Sequence, residues 1–133
     1  MTTATAERQP FFKRPECALI VLDCLAWLEQ HDRIRRLAAV VMPDHVHAVF
    51  ELKSTGLASV MHSLKGFSAK RVNSIEERSG PVWQGQYHET ALRDASAIRK
   101  AIRYCVLNPL RKGLTTEPGQ YPFCFCAFPL DSL

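Results

Sequence analysis

The chain has 133 residues, of which 47% are hydrophobic and 23% are charged. This length fits one domain with a modest core, and the composition is that of a folded protein rather than a disordered one. No apolar run approaches the ~20 residues that cross a bilayer, and the N-terminus has no signal-peptide core. We therefore expect a single domain over residues 1–133, located in the cytoplasm and without a membrane partner.

Positive charge is concentrated in the second half of the chain. The net charge is +4, but residues 53–112 carry eleven Lys and Arg against four Asp and Glu, which gives +7, and the remainder carries six against nine, which gives −3. A basic region on a small domain favours a polyanion such as nucleic acid, because Lys and Arg displace counterions from phosphates. An ordinary solvated surface would explain the same charge.

The five cysteines show no regular spacing, and their number is odd. Together with the lack of an export signal, this predicts reduced thiols rather than a disulfide framework. Cys124-Phe125-Cys126 is too tightly spaced for a zinc knuckle and has no second pair after it. We interpret these two cysteines as packing residues.

The apolar pattern of the first half predicts a helix followed by a hairpin. Apolar residues recur at three- and four-residue spacing from Pro15 to about His31, which is typical of an amphipathic helix. Arg35 to Met42 is almost continuously apolar, as in a strand covered on both faces. The turn at Pro43-Asp44 predicts an antiparallel hairpin with the strand that begins at His45.

The remaining pattern predicts a helix, an extended segment, another helix and an irregular tail. The two helices are predicted over Leu57–Ile75 and Ala95–Asn108, with the extended segment Val82–Ala91 between them. The irregular tail comprises the residues after Gly113. Asp94 is a suitable N-cap for the last helix, and Pro109 is expected to end it.

A histidine pair stands at the start of the second predicted strand. Because side chains alternate along a strand, His45 and His47 share one face. Two neighbouring neutral imidazoles can hold one metal ion. A pair of polar residues on a solvated sheet face is the simpler interpretation, and the spacing alone leaves both open.

Tyr104 and Asn108 lie four residues apart on the last predicted helix and share a face of it. The core stripe of that helix lies elsewhere and consists of Ile98, Ile102, Cys105 and Val106. Tyr104 is therefore either an ordinary packing residue or a phenolic nucleophile beside an amide that could bind a metal. Since a phenol with a pKa near ~10 is a weak nucleophile, the second reading requires a polarised phosphate.

Three motifs occur in order along the chain. They are Met42-Pro43-Asp44-His45-Val46-His47, then Val82-Trp83-Gln84, then the run from Arg103-Tyr104 through Asn108-Pro109 to Leu114. Their order and spacing resemble the IS200-type Y1 transposases, and most closely the REP-associated tyrosine transposases. The resemblance extends from about Gln9 to Pro122.

The resemblance implies an α+β fold, with helices packed on a ferredoxin-like antiparallel sheet and the histidine pair on a central strand. Relatives begin with a full strand before the equivalent of Arg8-Gln9-Pro10. In this chain only Met1 to Glu7 precede that point, so the first strand is expected to be short or missing.

The resemblance also implies metal-dependent cleavage and rejoining of single-stranded DNA through a 5′-phosphotyrosine. Carried over by position, Tyr104 would be the nucleophile, and His45, His47 and Asn108 would bind Mg²⁺ or Mn²⁺. Related insertion-sequence enzymes usually have Gln where this chain has Asn108. The expected partner is single-stranded or hairpin DNA, which would associate the protein with the nucleoid. The candidate phosphate contacts are Lys65, Lys70, Arg71, Arg111 and Lys112.

Two other functions are compatible with the sequence. One is a domesticated or inactive DNA-binding protein that no longer cuts. The other is an unrelated phosphohydrolase that uses a metal-bound water, whose activity would survive the loss of Tyr104. The sequence does not distinguish a monomer from a homodimer.

Overall fold

A four-stranded antiparallel sheet forms the centre of the computed structural model, which describes all 133 residues. The strands are β1 (Thr2–Ala4), β2 (Ile34–Met42), β3 (His45–Leu52) and β4 (Cys124–Cys126), and the α-helices are α1 (Pro15–Gln30), α2 (Leu57–Ile75) and α3 (Ala95–Arg111). The spatial order of the strands is β1-β3-β2-β4, so the strand with the histidine pair is central. None of the helices combines the length and apolarity that a membrane span requires.

The helices cover both faces of the sheet. On one face α1 and α2 pack against Val41, Val46 and Ala48, and on the other α3 packs against residues that include Val40 and Val49. Because strand side chains alternate, His45 and His47 lie on the same face as Val49, which is the α3 face. The expected α+β fold is therefore confirmed, and the histidine face is partly covered by a helix rather than fully solvated.

The long elements begin and end close to where the apolar pattern predicts. Helix α1 begins at Pro15 and ends at Gln30, and α2 spans the predicted Leu57–Ile75. The predicted hairpin is present, with Met42 paired with His45 across the turn. These segments were predictable because each buries a long periodic stripe, which specifies both the element type and its orientation.

Helix α3 corrects the prediction that Pro109 ends it. The N-cap prediction is confirmed, since Asp94 Oδ1 accepts a hydrogen bond from the Ala97 N–H at 2.8 Å. The helix nevertheless continues through Pro109 to Arg111. Proline there costs one intrahelical hydrogen bond in the last turn, where its fixed φ remains compatible with a helix. The chain leaves the helix at Gly113, whose φ of +75° is typical of a C-terminal glycine cap.

The tail corrects a second prediction, because it is not wholly irregular. Residues Cys124–Cys126 form β4, which pairs with β2 so that Ala39 lies opposite Phe125. Just before β4, Tyr121 fixes the chain against β2 by donating a hydrogen bond from its hydroxyl to the Val41 carbonyl at 2.7 Å. The two cysteines therefore belong to an edge strand, and their side chains pack against the α3 core.

The first strand is present but only three residues long, as expected. It pairs with β3 so that Thr2 lies opposite His47 and Ala4 opposite His45. Its other edge is occupied by residues Val82–His88, which we call the edge segment. This segment corresponds to the predicted extended stretch and forms two isolated bridges rather than a regular strand.

Hydrogen bonds hold the edge segment on both sides. Toward β1, Thr2 and His88 exchange two backbone hydrogen bonds of 2.8 Å each, and the Gln84 N–H donates to the Ala4 carbonyl at 2.9 Å. Toward α2, the Lys65 ammonium donates to the carbonyls of Gln84 at 2.9 Å and Gln86 at 3.3 Å. The short β1 is therefore held between β3 and the edge segment.

Candidate functional site

A polar cavity of about 210 Å³ opens beside β3, between β1 and α3. Its lining consists of Thr2, Arg8, His45, His47, Tyr104, Asn108 and Lys112. A second cavity of about 250 Å³ lies between α3 and the tail, but no histidine, lysine or arginine lines it. Of these two cavities, only the first is therefore lined by histidine, lysine and arginine side chains.

The orientation of His45 is fixed by the residue before it. Its Nδ1 lies 2.8 Å from Asp44 Oδ1. Burial opposes ionisation of Asp44, but the hydrogen bond with His45 and the charge of Arg8 outweigh it and lower the pKa of the carboxyl. Because an ionised carboxylate only accepts hydrogen bonds, Nδ1 carries a proton, and in the neutral form of the ring the lone pair is on Nε2. That lone pair is directed toward Asn108, whose Nδ2 lies 3.4 Å away.

The orientation of His47 is fixed by β1. Its Nδ1 lies 2.6 Å from Thr2 Oγ1, which leaves Nε2 as the other ring nitrogen. Burial, aided by nearby positive groups, lowers the pKa of His47 to about 4. The imidazole is therefore neutral at pH 7, which is the state in which a ring nitrogen binds a metal.

Tyr104 stands at the mouth of the cavity with its side chain largely in solvent. It is 56% exposed, which excludes a role as a core packing residue. Its ring meets the His47 ring edge-on, with centroids 5.7 Å apart and planes at 71°. Arg111 covers the ring with its guanidinium carbon 3.7 Å from the centroid, and its Nη2 donates to the Tyr104 carbonyl at 2.7 Å. The phenol is thus held by neighbours on two sides.

Asn108 is a buried amide, only 4% exposed, and its side chain points toward His45. Rotation of the Asn108 side-chain amide by about 180° would exchange its two terminal atoms and place Oδ1, the atom that binds cations, where Nδ2 now lies. Two imidazole nitrogens and one amide oxygen are a donor set that divalent metals accept. No group of three or more His, Cys, Asp or Glu in the chain could hold a metal ion, so a metal at this cavity would depend on these three residues.

The five cations predicted to contact DNA are divided between the two sides of the sheet. Lys112 lines the cavity and Arg111 covers Tyr104. Lys65, Lys70 and Arg71 lie on α2, across the sheet from the histidines, and none of them lines the cavity. Lys65 is engaged with the edge segment, and the role of this α2 trio in DNA binding stays a prediction.

Three residues of the site were missed by the sequence interpretation, namely Thr2, Arg8 and Asp44. Asp44 carried a usable signal, because a carboxylate next to a candidate metal-binding histidine is a common orienting partner. Thr2 and Arg8 carried none. Their positions depend on the register of β1 against β3 and on the turn that follows β1, neither of which a local pattern specifies.

Comparison with known proteins agrees with the fold and confirms the family resemblance. The sequence profile described as "Transposase IS200 like" matches residues 1–105. Among solved structures, the chain is similar to a REP-associated tyrosine transposase bound to a REP hairpin, with a TM-score of 0.74 and 19% sequence identity over 92% of this chain and 72% of that chain. At this identity the structural likeness is one of fold. No curated protein sequence matches the chain.

Proposed function

The chain belongs to the IS200-like transposase family, and on that premise we propose that it cuts and rejoins single-stranded DNA through Tyr104. One observation carries the proposal. The ring centroid of an exposed tyrosine lies 5.7 Å from that of His47, in an edge-on contact at a cavity that a second histidine and a buried amide also line. These groups come from distant parts of the sequence, and a purely structural role would not require an exposed tyrosine beside them.

The reaction is a transesterification at one DNA phosphate. The Tyr104 oxygen attacks phosphorus in line and loses its proton, and the bond from phosphorus to the 3′ oxygen breaks. The products are a 5′-phosphotyrosine and a strand end whose 3′ oxygen takes up a proton. One phosphoester replaces another, so no ATP is consumed. A 3′-OH can then attack the phosphotyrosine and rejoin the strand.

The remaining residues position the reacting groups. Arg111 holds the Tyr104 ring, and Lys112 offers a cation to the DNA backbone at the cavity. His45, His47 and Asn108 would hold Mg²⁺ or Mn²⁺, which when bound withdraws electron density from the phosphate. Their neighbours Asp44 and Thr2 fix the two imidazole rings in place.

The substrate that we propose is hairpin or single-stranded DNA. The solved structure of similar fold holds a REP hairpin. The basic character of residues 53–112 supports a polyanionic ligand for this chain as well.

The decisive experiment compares the parent protein with Tyr104→Phe. After incubation with structured single-stranded DNA and Mn²⁺, a denaturing gel should show a covalent protein–DNA adduct for the parent and none for the variant. DNA affinity and Tm should be nearly unchanged, because the ring is kept and 56% of the residue is exposed. Tyr87→Phe is the matched control, since Tyr87 lies outside the cavity and should still form the adduct.

Two other outcomes would contradict the proposal. Cleavage by Tyr104→Phe at the parental rate would assign the chemistry to a water molecule. A parent that binds hairpins but forms no adduct would instead identify a DNA-binding protein that no longer cuts. The second alternative has one observation in its favour, which is that the candidate metal site lacks a third histidine or carboxylate ligand.

A further inference from the structure

Arg8 is the second basic side chain that lines the cavity, beside Lys112. Its Nε donates to Asp44 Oδ2 at 3.1 Å, and this is the only hydrogen bond that its side chain makes. A guanidinium has five N–H donors, so the four on its terminal nitrogens remain available. With 57% of the side chain exposed, a ligand in the cavity can reach them.

The backbone at Arg8 adopts a conformation that non-glycine residues rarely adopt. Glu7 and Arg8 have φ values of +55° and +54°, both in the left-handed region. Thr5, which is fully buried, holds the turn closed, because its single hydroxyl proton is shared between the carbonyls of Gln9 at 2.7 Å and Asp44 at 3.1 Å. Two strained residues in succession persist only where the surroundings enforce them, and such residues cluster at functional sites.

The charges around the cavity favour an anion. Its lining includes two cations, two imidazoles and two hydroxyl groups, and no carboxylate. The nearest acid, Asp44, is already engaged, since it binds Arg8 through Oδ2 and His45 through Oδ1. Asp44 therefore orients the guanidinium without filling the donors that face the cavity.

We propose that Arg8 binds the non-bridging oxygens of the phosphate that Tyr104 attacks. A planar guanidinium can donate two parallel hydrogen bonds to a phosphate while its Nε stays on Asp44. Negative charge resides on the equatorial oxygens during in-line displacement, and a fixed arginine stabilises it there. The inference rests on the proposed function, because it assigns Arg8 to the same phosphate.

The phosphate contact can be measured without cleavage. In a Tyr104→Phe background, the affinity for a single-stranded DNA hairpin is measured as a function of salt concentration. Arg8→Ala should flatten the slope of log affinity against log salt by about 0.7, the value for one phosphate contact on a single strand. Arg35→Ala is the matched control, because Arg35 is also 57% exposed and paired with a carboxylate, Glu51 at 3.8 Å, but lies away from the cavity.

The contact to the attacked phosphate is measured by adduct formation with Tyr104 intact. Arg8→Lys keeps the charge and should keep the salt slope, but lysine cannot donate two parallel hydrogen bonds to one phosphate as a guanidinium does. Its rate of adduct formation should fall by about 10²-fold, as for removal of one fixed donor to a developing oxyanion. Arg35→Lys should react at the parental rate, and the Tm of each variant verifies that it is folded.

The two measurements separate this inference from the proposed function. An adduct-forming parent whose salt slope is unchanged by Arg8→Ala overturns the inference alone. Formation of the adduct by Arg8→Lys at the parental rate would also overturn the inference alone, because the phosphate that Arg8 binds would then not be the one that Tyr104 attacks. A parent without adduct whose slope is flattened by Arg8→Ala supports the phosphate contact and contradicts the proposed cleavage.

Discussion

Each histidine of the candidate site is held by a residue outside the proposed metal-binding trio of His45, His47 and Asn108. Asp44 fixes the proton of His45 on Nδ1, and Thr2 occupies Nδ1 of His47. Both contacts lie on the ring side away from the proposed metal. Such outer partners typically change metal affinity by about 10–100-fold when they are removed. The orientation of the two imidazole rings therefore depends on Asp44 in the turn and on Thr2 in β1.

This arrangement predicts a measurable response to Mn²⁺. A ligand that binds only the folded state raises stability by about 2.7 kcal/mol at a concentration of 100 Kd. The parent should therefore show a Mn²⁺-dependent rise in Tm, the double variant His45→Ala, His47→Ala should lose it, and Asp44→Asn should require more metal. His62→Ala is the control, because His62 is an exposed histidine on α2 away from the cavity. Retention of the full rise by the double variant would remove the metal from this site.

At the scale of elements, the extra turn of α3 beyond Pro109 has a direct effect on the site. It places Arg111 seven residues after Tyr104 on the same side of the helix, where the guanidinium covers the phenol ring. A helix that stopped before Pro109 would leave this ring without its cover. Pro109 thus removes one intrahelical hydrogen bond but leaves the contact between Arg111 and Tyr104 in place.

The edge segment is anchored on α2 by a buried hydrogen bond. Trp83 Nε1 donates to Ser68 Oγ at 2.9 Å, and Ser68 in turn donates to the Leu64 carbonyl. Trp83→Phe removes this hydrogen bond and should lower the free energy of unfolding by about 1–3 kcal/mol, because it leaves a buried hydroxyl with one partner fewer. The check is chemical denaturation of both single variants and the double variant with Ser68→Ala. Additive losses in the double variant would show that the hydrogen bond contributes nothing.

The sequence predicted the elements whose burial repeats over many residues. Helix α2 and strand β3 each have a long apolar stripe, so their type and exposed face follow from periodicity. Strand β4 has three residues and exists because β2 offers an edge to it, which no local pattern records. Tyr104 was found through a motif, whereas Arg8 enters the cavity through an unusual turn. Strand β4 and the position of Arg8 were both missed because each depends on contacts between residues that are far apart in the sequence.

At the scale of the whole molecule, the basic residues face two directions. The cavity face carries Arg8 and Lys112, whereas Lys70 and Arg71 project from α2 on the opposite side of the sheet. A strand of DNA that contacts both groups must pass around an edge of the sheet. Measuring how the salt dependence of binding changes when cations are removed from either face therefore tests which face the DNA contacts.

We expect the α2 cations to contribute to that path, as the excess charge of residues 53–112 indicates. The double variant Lys70→Ala, Arg71→Ala should flatten the salt slope for hairpin DNA by up to about 1.4, because each phosphate left without its cation accounts for about 0.7. Lys65 is left intact because it also holds the edge segment. The control is Arg35→Ala, Lys53→Ala, which removes two cations paired with Glu51. An unchanged slope in the α2 variant would confine the DNA to the cavity face.

The cavity draws its lining from residues 2 and 8, 45 and 47, and 104 to 112. A ribosome makes these groups in that order, so the nascent chain presents both histidines long before Tyr104 exists. Tyr104, Asn108 and Lys112 are therefore the last groups of the cavity to be made, and an unfinished or proteolytically shortened chain that ends before α3 keeps both histidines but lacks the proposed nucleophile.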